Sequence, residues 1–462
     1  CLDAAARAPL HRLATQRRHV LSAALPGELV EGPLRRLAAW VLAQAPPARK
    51  TSHWWAEAGH GTQSLPQAER AAFEEVLMSR AMDAMFRTRF SRHAYAVEPI
   101  RAMNEVYVAT AAQDATHTSD KVFYMDHLDG PYGMFPAGAA RVYRCMVGVT
   151  PQNYIETVFC MQDPRCRFTL SQGDVAGFDF HREVHRIQPA PGGTPLRAGE
   201  RRVCLKLHYV VYARALGPAG RLLARLTARY NENFRALFLA TIQPGSLYQR
   251  VLAWWVVHVT WLTATFEKTV GWSNVLYLAC LGAAAWALQS RALWLLGSCF
   301  AHYAVYAATY HAQNDHIAFG LFKRDAIFFK ALALAQAAAL AAPHARAQAV
   351  ATVAPAAALA AAGAALSAAA AAALGVDRTY FGWELGVVRG PWRVAAWPYG
   401  AVPHPMILGS AAVWLGLHAL PGFRAELPWF APLHAALYAA HAAQEHRGWH
   451  KTLGRDKERQ DE

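Results

Sequence analysis

Between residues 127 and 206 the chain carries side chains whose types could bind a metal ion and an organic anion. His127 and Asp129 are two residues apart, so on a strand both project from one face. Further on come Gly173-Asp174, Phe178, His181, Glu183 and His185. The same parity puts residues 181, 183 and 185 on one face, so either histidine could complete a set of two imidazoles and one carboxylate. Three such donors on one side of ferrous iron leave its other positions open to exchangeable ligands. Arg202 and Lys206 share a face of a later run, and the planar fork of Arg202 is the better bidentate partner for a carboxylate.

The elements that must position these groups are short. Runs such as EVYVAT, RVYRCMVGVT, GDVAGFDF and RRVCLKLHYVVYA fill residues 103 to 212, separated by Gly, Pro, Asn and Asp. That spacing predicts an all-β sandwich or barrel. The order of these residues resembles the double-stranded β-helix of the iron(II)/2-oxoglutarate oxygenases. The resemblance implies iron held by His127, Asp129 and His185, with Arg202 on the 2-oxoglutarate carboxylate. His185 is preferred over His181 because the family places its distal ligand well beyond a Gly-Asp turn.

A second stretch, residues 378–410, offers different chemistry. Glycines at 382, 386, 390, 400 and 409 permit close backbone approach, and prolines at 391, 398, 403 and 405 interrupt helices. Inside a bilayer such irregular backbone survives only when buried in protein or lining a polar cavity. Thr379-Tyr380-Phe381-Gly382, Gly386, Trp397-Pro398-Tyr399 and Pro405-Met406-x-x-Gly409-Ser410 resemble the membrane-embedded phospholipid N-methyltransferases in motif and order. The resemblance covers about the last hundred residues; the tyrosine of that pattern is Ile407 here, and its acidic pair is Gln444-Glu445. It implies S-adenosylmethionine bordered by Gly382 and Gly386 and by the loop of Pro405, Met406 and Gly409. Glu445 would hold the ammonium group of the donor at the catalytic centre. Glu384 is an extra polar group outside that pattern.

Composition sets the surroundings. At 462 residues the chain exceeds one ordinary core, and its apolar residues concentrate after residue 270. A net charge of +14 without an arginine-rich arm points to anionic lipid rather than nucleic acid. Seven cysteines without a CxxC pair suit a reducing compartment. Residues 213–249 read as a basic amphipathic helix, and 251–266, rich in tryptophan, as an interfacial segment. Apolar runs predict six spans, near 273–289, 292–310, 327–343, 347–374, 403–420 and 428–443. An even number puts the soluble domain and the RDKER tail on one side. His302, His311 and His316 lack the repeated boxes of a membrane diiron site and read as satisfied interface histidines.

The expected fold is therefore multidomain. A helical preamble (1–100) precedes a mainly-β, double-stranded β-helix-like domain (101–215), a basic linker (216–270), an all-α polytopic membrane domain (271–450) and a charged tail (451–462). The expected function is S-adenosylmethionine-dependent N-methylation of a phosphatidylethanolamine-like amine. The alternative is a membrane-anchored iron(II)/2-oxoglutarate hydroxylase. Membrane phospholipids are the expected partners, with no nucleic acid and no obligate protein partner. The expected location is an endomembrane or organelle membrane, with the soluble domain facing a reducing compartment.

Overall fold

The computed structural model describes residues 20–446 except 46–50, 56–63, 111–124, 131–139, 152–153, 163–165, 243, 313–317, 386 and 389–393. Two compact units divide it, one built on residues 18–268 and the other on residues from 269 onward.

The first unit is organised on two antiparallel sheets. Its strands are β1 (Val20–Ala24), β2 (Thr51–Trp55), β3 (Tyr95–Pro99), β4 (Glu105–Thr110), β5 (Ala140–Gly148), β6 (Ile155–Phe159), β7 (Arg167–Phe168), β8 (Asp174–Asp179), β9 (His185–Pro189) and β10 (Arg201–Ala213). The seven-stranded sheet runs β1-β8-β5-β10-β4-β2, with β3 also on β10; the three-stranded sheet runs β7-β6-β9. β10 is central because β5 pairs along one edge while β4 and then β3 share the other. Its β-branched, aromatic and leucine residues suit a strand covered on both faces.

The two faces of β10 differ in chemistry. Val203, Leu205, Leu207, Tyr209 and Val211 enter the main core, with Leu37 of helix α1 (Arg35–Ala43), Phe73 and Val76 of α2 (Gln67–Leu77) and Phe86 of α3 (Arg80–Arg87). Fully burying each such side chain contributes about 1.5–3 kcal/mol. The opposite face carries Arg202, Cys204, Lys206 and His208, all buried. That face looks toward the small sheet, where Phe159 of β6 meets Phe178 of β8 at 5.2 Å between ring centroids. Helix α4 (Gly217–Ile242) packs on β10 and β5, and α5 (Leu247–Thr269) follows it.

The preamble and linker boundaries drawn from sequence are corrected by this pairing. Residues 1–100 are not purely helical: β1, β2 and β3 lie there and join the large sheet through β8, β4 and β10. Residues 216–268 belong to the same compact unit as the strands.

The second unit is helical: α6 (Trp272–Ala287), α7 (Arg291–Cys299), α8 (Ala301–Ala312), α9 (Phe319–Arg346), α10 (Val350–Leu374), α11 (Pro405–His418) and α12 (Phe430–His446) are its longer elements. Among the described residues, α9 and α10 are long and apolar enough to cross a membrane. They indicate membrane association. The run expected as one span over 292–310 is two helices, divided at Phe300. Helix α11, at 14 residues, is apolar but shorter than a single crossing needs.

Small residues let α10 and α11 approach closely. A Cβ on Gly363 would stand 2.5 Å from the Gly409 carbonyl oxygen, and one on Gly409 would stand 2.6 Å from that of Gly363. Only glycine fits at both positions, as in close helix crossings within membranes.

Candidate metal centre

His127, Asp129 and His185 are brought together although 58 residues separate the outer two (185 − 127). Their ligand atoms all lie within 4.8 Å of one another; both histidines are buried, and Asp129 is partly buried with its side chain 5% exposed. His127 stands on a single antiparallel bridge rather than a strand: its amide donates to the His185 carbonyl at 2.9 Å, and the reverse bond has the same length. The strand expected to carry the HxD pair is thus one bridged residue followed by a bend, with Gly130 just after the carboxylate. A Cβ on Gly130 would lie 2.2 Å from His181 Cδ2, so the turn that aims Asp129 admits no larger residue.

Backbone carbonyls orient both imidazoles. His127 Nδ1 lies 2.9 Å from Met125 O, and His185 Nδ1 lies 3.0 Å from Glu183 O. A proton on each Nδ1 satisfies these contacts and leaves the Nε2 lone pair for a metal. The two Nε2 atoms face the carboxylate, His127 at 3.8 Å from Oδ1 and His185 at 3.6 Å from Oδ2. Cis ligands held at about 2.1 Å from an octahedral ion stand about 3.0 Å apart. The two nitrogen–oxygen separations are within 1 Å of that value, and the whole set, within 4.8 Å, would contract by up to about 1.8 Å to close on an ion.

Protonation states also suit ligation. Burial drives His127 down to about 3 and lowers His185 in the same direction, so both rings are neutral near pH 7. Burial works to raise Asp129, but the Arg144 guanidinium overrides it and holds the carboxyl below its ordinary range. Asp129 Oδ2 accepts no hydrogen bond among the described residues.

Arg144 is the residue of this site that the sequence does not reveal. From β5 it reaches Asp129 Oδ1 at 2.5 Å through Nη1 and donates from Nε to His208 Nε2 at 2.9 Å. An arginine at an inward position of the apolar run VYRCMVG was the available signal. Beyond it, Glu105 is buried between Lys206, at 3.1 Å, and Arg235 of α4.

The other candidates fall in different places. His181 lies in the turn between β8 and β9, so the parity linking it to His185 is broken; its Nε2 contacts Asn231 Oδ1 at 2.8 Å. Arg202 is buried on the inner face of β10, but six residues, about 20 Å of strand, separate it from His208 at the level of Arg144. It is not among the residues lining the pocket above the triad. Lys206 is only two residues from His208, on the same face.

Among the residues expected around a methyl donor, Gly382 is required to be small because a Cβ would lie 2.4 Å from Asp377 O. Gly409 is used in the α10–α11 crossing, where Ser367 Oγ also donates to Met406 O at 3.2 Å. Pro405 is the buried first residue of α11. Glu384 is raised to about 7, chiefly by burial. Gly386, the side chains of His311 and Glu445, His316 and the RDKER tail lie outside the described residues. His302 is buried in α8.

The pocket above the triad is lined on one side by His127, Asp129 and Arg144 and on the other by α4 and α5. No protein-family model matches the chain, and no curated protein matches it significantly.

Proposed function

We propose that the first unit is a non-haem iron(II) oxygenase that uses a 2-oxo acid, with His127, Asp129 and His185 as its metal ligands. The observation that carries this reading is the convergence of two backbone-oriented Nε2 atoms on one buried carboxylate. The two facing antiparallel sheets are compatible with the double-stranded β-helix of that class. Ferrous iron bound there would supply the redox chemistry and an open face for a 2-oxo acid and O₂.

The chain's own groups define the rest. Buried Arg144, Lys206 and Arg235 against Asp129 and Glu105 leave one positive charge, and a divalent ion would raise the excess to three. That surplus suits a dianionic co-substrate such as 2-oxoglutarate. Among these cations Arg144 and Arg235 line the pocket, whereas Lys206 and Arg202 do not, so we assign the far carboxylate to Arg235. The overall change balances as R–H + O₂ + 2-oxoglutarate giving R–OH + succinate + CO₂.

Anaerobic iron uptake by the purified full chain tests the reading. One ferrous ion per chain is expected, lost in His127→Ala, Asp129→Asn and His185→Ala and retained in Arg202→Met. Absence of uptake by the wild type refutes it.

A second reading concerns the helical unit, as a phospholipid N-methyltransferase that uses S-adenosylmethionine. It is supported by the order of motifs between residues 379 and 410 and by the close backbone approach at Gly382. Direct displacement would need donor and lipid amine held in line with water excluded. In this reading the unit is multi-pass, with α9 and α10 as two of its spans. Donor affinity in nanodiscs tests it, because Glu445→Gln should lose about 10- to 100-fold if one charge-assisted hydrogen bond is removed.

A further inference from the structure

The pocket over the triad is closed by an unusual pair of helices. Toward the pocket, α4 presents Tyr230, Phe234 and Phe238, and α5 presents Val256 and Thr260. Its cations are already engaged there, Arg144 with Asp129 and Arg235 with Glu105. What remains for an organic substrate on the α4–α5 side is an aromatic and aliphatic wall.

The outer faces of the same helices have a different character. On α5 the buried stripe is Ala253, Val256, Thr260, Ala264 and Glu267. The opposite side exposes Val251, Trp254, Trp255, Trp261 and Leu262, each at least half accessible. Three tryptophans and long aliphatic side chains on one exposed helix face match the interface of a bilayer. On α4 the exposed side alternates Arg221, Arg225 and Arg229 with Leu222 and Leu226. Cations over leucines form the pattern of a helix lying on anionic headgroups. The chain is strongly basic and carries two helices able to cross a membrane, so a bilayer is the occupant these faces fit. Lys268, at the end of α5, pairs with Asp126, which precedes His127 and also accepts from Arg186 at 3.1 Å. The helix with the lipid-facing tryptophans is thereby tied to the metal-ligand turn.

We infer that the triad acts on the aliphatic chain of a bilayer lipid, which enters the pocket between α4 and α5 while their outer faces rest in the membrane. The inference rests on the oxygenase reading for the fate of the chain but not for its binding. One wall is inside the pocket and the other inside the bilayer, so a chain can pass between them without crossing water, at no cost in apolar hydration.

Photo-crosslinking of the full chain in nanodiscs tests this. The probe is a phosphatidylcholine bearing a diazirine in its acyl chain, diluted into phosphatidylcholine and phosphatidylglycerol. Labelled peptides are expected from Tyr230–Phe238 and Val256–Thr260 as well as from the outer face at Trp254, Trp255 and Trp261. Thr260→Phe, or Val256→Phe if the first variant is unstable, should cut the inner labelling by about tenfold by filling the volume the chain needs, with outer labelling unchanged. Labelling confined to the outer face, or inner labelling indifferent to both fillings, overturns the inference. Iron uptake is measured on the same samples: inner labelling without iron uptake sustains chain binding and defeats the oxygenase reading alone.

Discussion

Arg144→Met isolates the electrostatics of the candidate metal centre. The guanidinium is 3% exposed, lies 2.5 Å from Asp129 Oδ1 and 2.9 Å from His208 Nε2, and covers the Phe180 ring at 4.7 Å. Methionine keeps most of the stem volume but leaves the Asp129 carboxylate buried without its cation. Breaking a buried pair on one side costs about 3–5 kcal/mol. For a unit of this size each kcal/mol moves the midpoint by about 2–4 °C, so the expected fall in chelator is about 6–20 °C. A divalent ion on Asp129 replaces the missing charge, and binding stabilises the folded form in proportion to its affinity. The variant should therefore recover more than half of its loss with manganese(II), a redox-stable substitute, while the wild type rises less. Thermal unfolding followed by hydrogen exchange in β5 and β10 reads both quantities. An equal deficit with and without manganese would refute the account of Arg144 as charge compensator, as would no deficit in chelator.

Three further outcomes follow from the same physical arguments. His181→Ala should keep iron stoichiometry at the wild-type level by metal analysis, because His181 contacts Asn231 rather than the triad. Glu384→Gln should stabilise the helical unit at pH 8 and not at pH 4. The folded carboxyl titrates near 7 against an ordinary value of 4.5, so stability is full below 4.5, falls as pH rises through 7, and is lost by on the order of 3 kcal/mol; equal melting of the two proteins at pH 8 would contradict this. Gly409→Ala should cost about 1–3 kcal/mol by overpacking against the Gly363 carbonyl. Gly282→Ala, whose Cβ meets nothing nearer than 3.6 Å, should be neutral or stabilising in the same detergent melt.

The three residues of the candidate metal centre are legible because their chemistry is local in kind even where the chain is not local in sequence. The spacing of two singles out His127 and Asp129, spacing alone leaves His181 and His185 open, and the preference for His185 is what the oxygenase resemblance implies. Arg144 and Lys206 were less visible as partners of that centre, since only the registers of β5, β8 and β10 bring them to it. Arg202 was preferred for its fork, a property of the side chain, whereas position along β10 is decided by pairing. The β1 strand VLSAA was hidden for a related reason: leucine and alanine favour helix, and only pairing with β8 overrides them. The alanine-rich α10 held as one long apolar helix, since alanine is the strongest helix former, whereas the run at 292–310 broke at Phe300.

The order of strands in the large sheet has a consequence for biosynthesis. β1 is near the start of the unit and its partner β8 lies over 150 residues later, while β10, which joins three strands, is the last to be made. At about 5–20 residues per second, the ribosome takes roughly 10–40 s between emergence of β1 and completion of β10. During that interval the partly made sheet presents unpaired edges. The next segments to emerge are α4 and α5, so helices with exposed leucines and tryptophans appear just as the sheet can close. A pause in translation after residue 213 would let the sheet close before those faces appear, and would favour folding over aggregation.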